Sequence, residues 1–147
     1  MKLPFFALTL FLGVVLAVHL AMNAEVGKAI ANPRVGNALF WCIGALTAVI
    51  VGLTSWKAGA LEPIKDINPL LLTAGAMGAL LVFAIAFLIP KVGAGALFIS
   101  LLAGQVVTGM VLSHFGWLGS EMEPVTLLKI VGVSLMIGGA AIVTFMD

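Results

Sequence analysis

Five stretches of the chain run for 19 residues or more with almost no charge: 4–22, 37–55, 69–89, 92–113 and 125–146. Within each, hydrophobic positions are continuous rather than alternating. At 1.5 Å per residue a run of this length makes a helix of about 30 Å, the thickness of a bilayer's hydrocarbon core. Strands are excluded, because an open sheet edge in lipid leaves backbone groups unpaired. The pattern therefore predicts an all-α membrane protein, a single domain over residues 1–147 with five transmembrane helices. The first helix is expected to continue past Met22 to residue 31, since the chain keeps helix formers until Asn32-Pro33 stops it. The start of the chain, Met1-Lys2 followed by an apolar run, has the outline of a signal peptide, with Ala21 and Ala24 spaced like a cleavage site. Four further spans behind it make it the first transmembrane helix. Pro90-Lys91-Val92 joins the third and fourth spans, which makes those two helices antiparallel neighbours.

Composition narrows the class. The chain is 63% hydrophobic and 9% charged, where a soluble domain carries about 25% charged residues. A folded globule of this composition has too little polar surface for water. A net charge of +1 excludes nucleic acid as a partner. The lone Cys42 offers neither a disulfide nor a thiolate metal site within one chain. No His/Cys/carboxylate cluster, phosphate-binding glycine loop or nucleophile–base pair stands out, so neither an enzyme nor a cofactor is expected.

Orientation is weakly specified. Five spans put Lys2, Lys57, Lys65 and Lys129 on one side and Lys28, Arg34 and Lys91 on the other. Positive charge near the helix ends normally decides which way a chain inserts. A chain with so near-even a split can insert both ways and pair with its own inverted copy, a recurring transporter design; the alternative is that Lys129 and the tryptophans at the interface hold one dominant orientation. Trp41, Trp56 and Trp117 fall near span ends and read as interfacial anchors, with a cation–π role for Trp41 toward an organic cation as the alternative. Lys129 is expected to snorkel to the interface. Glu25 and Lys28, three apart, are expected to form a solvated pair.

The few polar groups inside the spans are the candidate site residues, because each is costly at membrane depth unless it meets another helix or water. His19 and Asn23 are four apart and share one helix face. An imidazole suits a proton-linked switch, and equally a neutral contact to a neighbouring helix. Asn23 suits either solute contact or helix bridging. Gln105, beside Gly104, lies about 4 Å from the middle of the fourth span, and Thr108 shares its face. Cavity lining is the expected role for both, a packed glycine notch the alternative. Gly75, Gly78, Gly104, Gly109 and their neighbours make small-residue faces; Ala74-x-x-x-Gly78 and Ser134-x-x-x-Gly138 have the spacing of close helix crossing, chiefly a packing feature, and the second makes the fifth helix a candidate dimer contact. No carboxylate lies deep in any span.

Four places carry a family resemblance along essentially the whole chain: Asn23 in His-Leu-Ala-Met-Asn-Ala-Glu-Val-Gly, Gly75-Ala-Met-Gly-Ala, Ala103-Gly-Gln105, and His114-Phe-Gly-Trp117. In these the chain resembles the YdcZ-type family of short five-helix transporters in the drug/metabolite transporter superfamily. It departs from that pattern at His19, where the family has Gln, and at Ser113, where it has Asp. The resemblance implies a half-size transporter repeat of the inner membrane that assembles as an antiparallel dimer. His19 and Asn23 of one subunit then come near Gln105 of the other.

The expected function is transport of a small polar solute by alternating access in a dual-topology antiparallel homodimer. The partners are an inverted copy or a paralogue, the lipid bilayer and a small-molecule substrate held by His19, Asn23, Gln105 and Thr108. Two other readings compete. A structural or accessory subunit of a membrane complex predicts that the amides serve assembly alone. A quaternary-ammonium exporter predicts tryptophans facing the cavity and a deep acid.

Overall fold

The computed structural model describes residues 2–146; Met1, where the signal-peptide-like run begins, and Asp147 lie outside the described residues. Among the described residues there are helices and no strands. The helices are α1 (Lys2–Ala29), α2 (Pro33–Leu53), α3 (Pro69–Leu72), α4 (Ala74–Val92), α5 (Ala94–Phe115) and α6 (Leu127–Phe145), with two short 3-10 turns at Glu62–Asp66 and Trp117–Gly119. Five are long and apolar enough to cross a membrane, α3 and α4 together forming the third span, Pro69–Val92. Large apolar side chains such as Phe5, Leu10, Leu80, Leu128 and Phe145 stand exposed along them. Water would not tolerate so much continuous apolar surface, whereas lipid covers it at no cost.

The chain divides into two compact units, Met1–Pro90 and Lys91–Asp147. In the first, α1 packs on α2. Helix α1 ends where Ala31 turns into the left-handed region, φ 55. There Asn32 N donates to Gly27 O and Ala31 N to Lys28 O, at 3.1 and 3.0 Å. These are the two bonds of a Schellman cap, which satisfies carbonyls the helix would otherwise leave open. Asn32 then caps α2, its side-chain oxygen accepting from Arg34 N and Val35 N, with Pro33 preset for the first helical position. Helix α2 thus begins at Pro33, one turn before the hydropathy pattern starts the second span.

The third span is broken at Thr73. Its hydroxyl donates to Leu70 O at 2.7 Å, and its backbone N–H reaches back to the same carbonyl at 3.2 Å. A hydroxyl competing for a helical carbonyl tightens the turn there. At the far end, Pro90 lies inside α4, which continues to Val92. The lost proline N–H falls in the last turn, where it interrupts little. The connection to α5 is therefore Gly93 alone, at φ 82 and ψ 148, a conformation essentially restricted to glycine.

In the second unit α5 packs on α6, with Leu97 and Ala140 buried. Gly116 ends α5 in the left-handed conformation, φ 65. The loop that follows folds back on the helix end: Glu123 N donates to Ser113 O at 2.8 Å, and Val125 N to His114 Nδ1 at 3.2 Å. Phe115 and Trp117 stack at 4.9 Å. Thr126 caps α6 by accepting from Lys129 N. The His-Phe-Gly-Trp segment is thus the brace that hands the chain from α5 to α6.

Candidate functional site: a buried amide junction

The turn at residues 30–32 is short enough to press α1 against α2 where both carry glycine. A Cβ placed on Gly36 would sit 2.6 Å from Gly27 Cα and 2.9 Å from Gly27 N. Both glycines are buried. Only two residues without side chains permit so close a crossing.

That crossing positions Asn23, one turn before Gly27, beside Asn37, which follows Gly36. Asn23 Nδ2 donates to Asn37 Oδ1 at 3.3 Å, and Asn37 Nδ2 donates in turn to Ala79 O on α4 at 3.4 Å. One relay therefore ties three spans. Asn23 is 1% exposed, the most deeply buried polar side chain described, and its Oδ1 has no hydrogen-bond partner. By helix rise, Asn23 and Asn37 lie about 11 and 9 Å from the middle of their helices, toward the end of the pair where the turn joins them.

Trp41 stands one turn beyond Asn37 and packs its ring on Gly78, where an added Cβ would lie 3.5 Å from Trp41 Cη2. Its Nε1 is buried and unpartnered. This corrects the interfacial-anchor reading of Trp41. Because α2 begins at Pro33, Trp41 falls about 3 Å from the helix middle and faces a neighbouring span. His19 meets the same group from α1: its ring lies 4.9 Å from that of Phe40, while Nδ1 is 3.3 Å from Leu16 O on its own helix. The junction thus holds one unmet acceptor, one unmet donor and an imidazole.

Of the four predicted site residues, His19 and Asn23 both lie on α1 and meet α2, at Phe40 and Asn37. Gln105 and Thr108 lie on α5 in the second unit, both exposed. Gln105 is within about 1 Å of the middle of α5 by helix rise. Asn37 was missed by the sequence reading, which took it only as the edge of a span. Glu25 and Lys28 form an exposed pair at 3.6 Å. Lys129, expected to snorkel to the interface, is bound to Glu123 Oε2 at 3.0 Å and to Pro124 O at 3.4 Å.

Five helices long and apolar enough to cross a membrane, with large apolar side chains exposed along them, define a multi-pass membrane protein, and a buried amide relay ties its first three spans. The chain belongs to the YdcZ family, described as "Putative inner membrane exporter, YdcZ", which it matches over residues 4–142. It is accordingly a multi-pass protein of the inner membrane in a transport family. No curated protein and no solved structure matches it.

Proposed function

We propose that the protein exports a small, polar, uncharged solute by alternating access in an antiparallel pair of identical chains. His19 and Asn23 of one chain and Gln105 and Thr108 of the other contact the solute. The observation that carries this reading is Asn23: buried to 1%, held by Asn37, with its carbonyl oxygen unmet. An unmet acceptor in this setting costs about 1–3 kcal/mol. A solute bearing an N–H or O–H removes that cost when it binds, and Trp41 Nε1 offers the complementary donor. Export is the direction the family description names.

The antiparallel arrangement is supported by the even split of positive charge and by Gln105. An amide at the middle of a span, exposed in one chain, needs partners that lipid does not supply. A second chain or a bound solute supplies them. Two oppositely inserted copies also explain alternation: exchanging the conformations of two identical chains leaves the energy unchanged and the opening reversed.

Two measurements test the reading. In a Cys42→Ser background, Ala60→Cys in the exposed loop is expected to label from both faces of intact membranes. Labelling from one face alone overturns the antiparallel pair. In a solute screen, the purified wild type is expected to gain thermal stability from a polar, uncharged compound, and Asn23→Ala and Gln105→Ala to lose that gain. If no solute stabilises the protein and both variants merely weaken assembly, the accessory-subunit reading replaces this one.

A further inference from the structure

Within the second unit, a groove of about 390 Å³ lies between α5 and α6. Val106, Met110, Val133 and Met136 form its walls, and Lys129 and Glu123 stand at one end. Lys129 is in the first turn of α6 and Met136 at that helix's centre, so the groove descends about 10 Å. That is most of the half-thickness of a hydrocarbon core, about 15 Å. With Lys129 at the headgroup level, the groove therefore covers about two-thirds of one leaflet's hydrocarbon. Its floor is open at Gly109 and Gly132, where an added Cβ would meet nothing within 4 Å.

The valine and methionine walls offer water no hydrogen bonds, so in a membrane the occupant at hand is an acyl chain. The charged end selects the headgroup. The Lys129–Glu123 pair sums to zero, with one ammonium and one carboxylate 3.0 Å apart. An anionic headgroup would meet Lys129 but also the Glu123 carboxylate. A headgroup with a phosphate and a primary ammonium meets both: the phosphate accepts from Lys129, and the ammonium donates to Glu123. We propose that the α5–α6 groove binds one zwitterionic, amine-bearing phospholipid of the phosphatidylethanolamine type, its chain lying between Met110 and Met136 and its headgroup exchanging partners with the Lys129–Glu123 pair.

The site is independent of the transport reading, and so is its test. Native mass spectrometry of the purified full-length protein is run with phosphatidylethanolamine, phosphatidylglycerol of the same chains, or chain-free glycerophosphoethanolamine. The expected result is a one-lipid adduct with phosphatidylethanolamine, about tenfold weaker retention of phosphatidylglycerol, and none of the chain-free headgroup. Gly132→Leu, whose Cβ meets nothing within 4 Å, puts its side chain into the slot and is expected to lower the adduct about tenfold with the helical circular dichroism unchanged. The double variant Lys129→Gln/Glu123→Gln keeps the slot and the net charge, and is expected to hold both lipids equally. Equal retention of the two lipids by the wild type overturns the proposal, as does an unchanged adduct in Gly132→Leu. If Gly132→Leu instead separates paired chains while leaving lipid binding intact, a second copy occupies the groove and the lipid assignment is wrong.

Discussion

The substitution Gly36→Ala puts the α1–α2 crossing to a quantitative test. The new methyl would lie 2.6 Å from Gly27 Cα, whereas carbon atoms rest about 3.5–4.0 Å apart. Gly27 has no side chain to turn aside, so the helices must separate by about 1 Å. Overpacking of this kind costs about 1–3 kcal/mol. The same separation stretches the Asn23–Asn37 bond, already 3.3 Å, to about 4 Å, beyond hydrogen-bond range. The buried Asn23 amide N–H then loses its acceptor, for a further 1–3 kcal/mol or so. The sum is about 2–6 kcal/mol. At roughly 2–4 °C per kcal/mol for a chain of this size, the unfolding midpoint should fall by about 5–20 °C. Circular dichroism on the detergent-purified protein reads it directly. Gly52→Ala is the control, since an added Cβ there meets nothing within 4 Å, and alanine is favoured in a helix by up to about 1 kcal/mol. If Gly36→Ala melts together with Gly52→Ala, the crossing is looser than described and the amide relay does not depend on it.

Other substitutions separate the remaining elements. Asn37→Leu removes both bonds of the relay and leaves the Asn23 amide alone, so a loss of about 2–4 kcal/mol is expected in thermal unfolding. An unchanged midpoint would mean the relay adds no stability. His114→Phe keeps the ring but removes the acceptor for Val125 N–H. About 1–2 kcal/mol should be lost, with faster tryptic cleavage after Lys129; unchanged cleavage would count against the brace. Gly93→Ala forces a side chain into a glycine conformation, and a cost of about 1–3 kcal/mol is expected in the same assay. Glu25→Gln breaks an ion pair whose side chains are both 73% exposed, and stability should stay where it was at any salt concentration.

What was legible in the sequence follows from how few choices a bilayer allows. Long uncharged runs must be helices, and all five were visible, because no other structure satisfies the backbone in lipid. The ends of the helices were less so. Asn32 and Pro33 together start α2 a turn before the hydropathy rises, since capping is set by local hydrogen bonds and not by apolarity. Pro90 looked like a linker but lies within a last turn that can spare its N–H. The candidate site divides the same way. His19 and Asn23 announced themselves by their four-residue spacing on one helix. Asn37 did not, because its importance comes from the tight turn and the facing glycines. Gly27 and Gly36 each stand on a different helix, so no spacing rule within one helix finds them. Trp41 was misjudged in consequence of the late start assigned to α2. Gln105 and Thr108 were picked out for their polarity at depth, and their contacts depend on surfaces beyond α5 itself.

The indole of Trp41 has a practical corollary. Trp56 and Trp117 are exposed, so replacing both with phenylalanine leaves one emitter, pressed on Gly78 with its N–H unmet. Emission from an indole shifts to longer wavelength when water or a donor–acceptor partner reaches it. The chain therefore carries its own optical gauge of whether the surroundings of this indole are dry, wetted or partnered, readable without any attached dye.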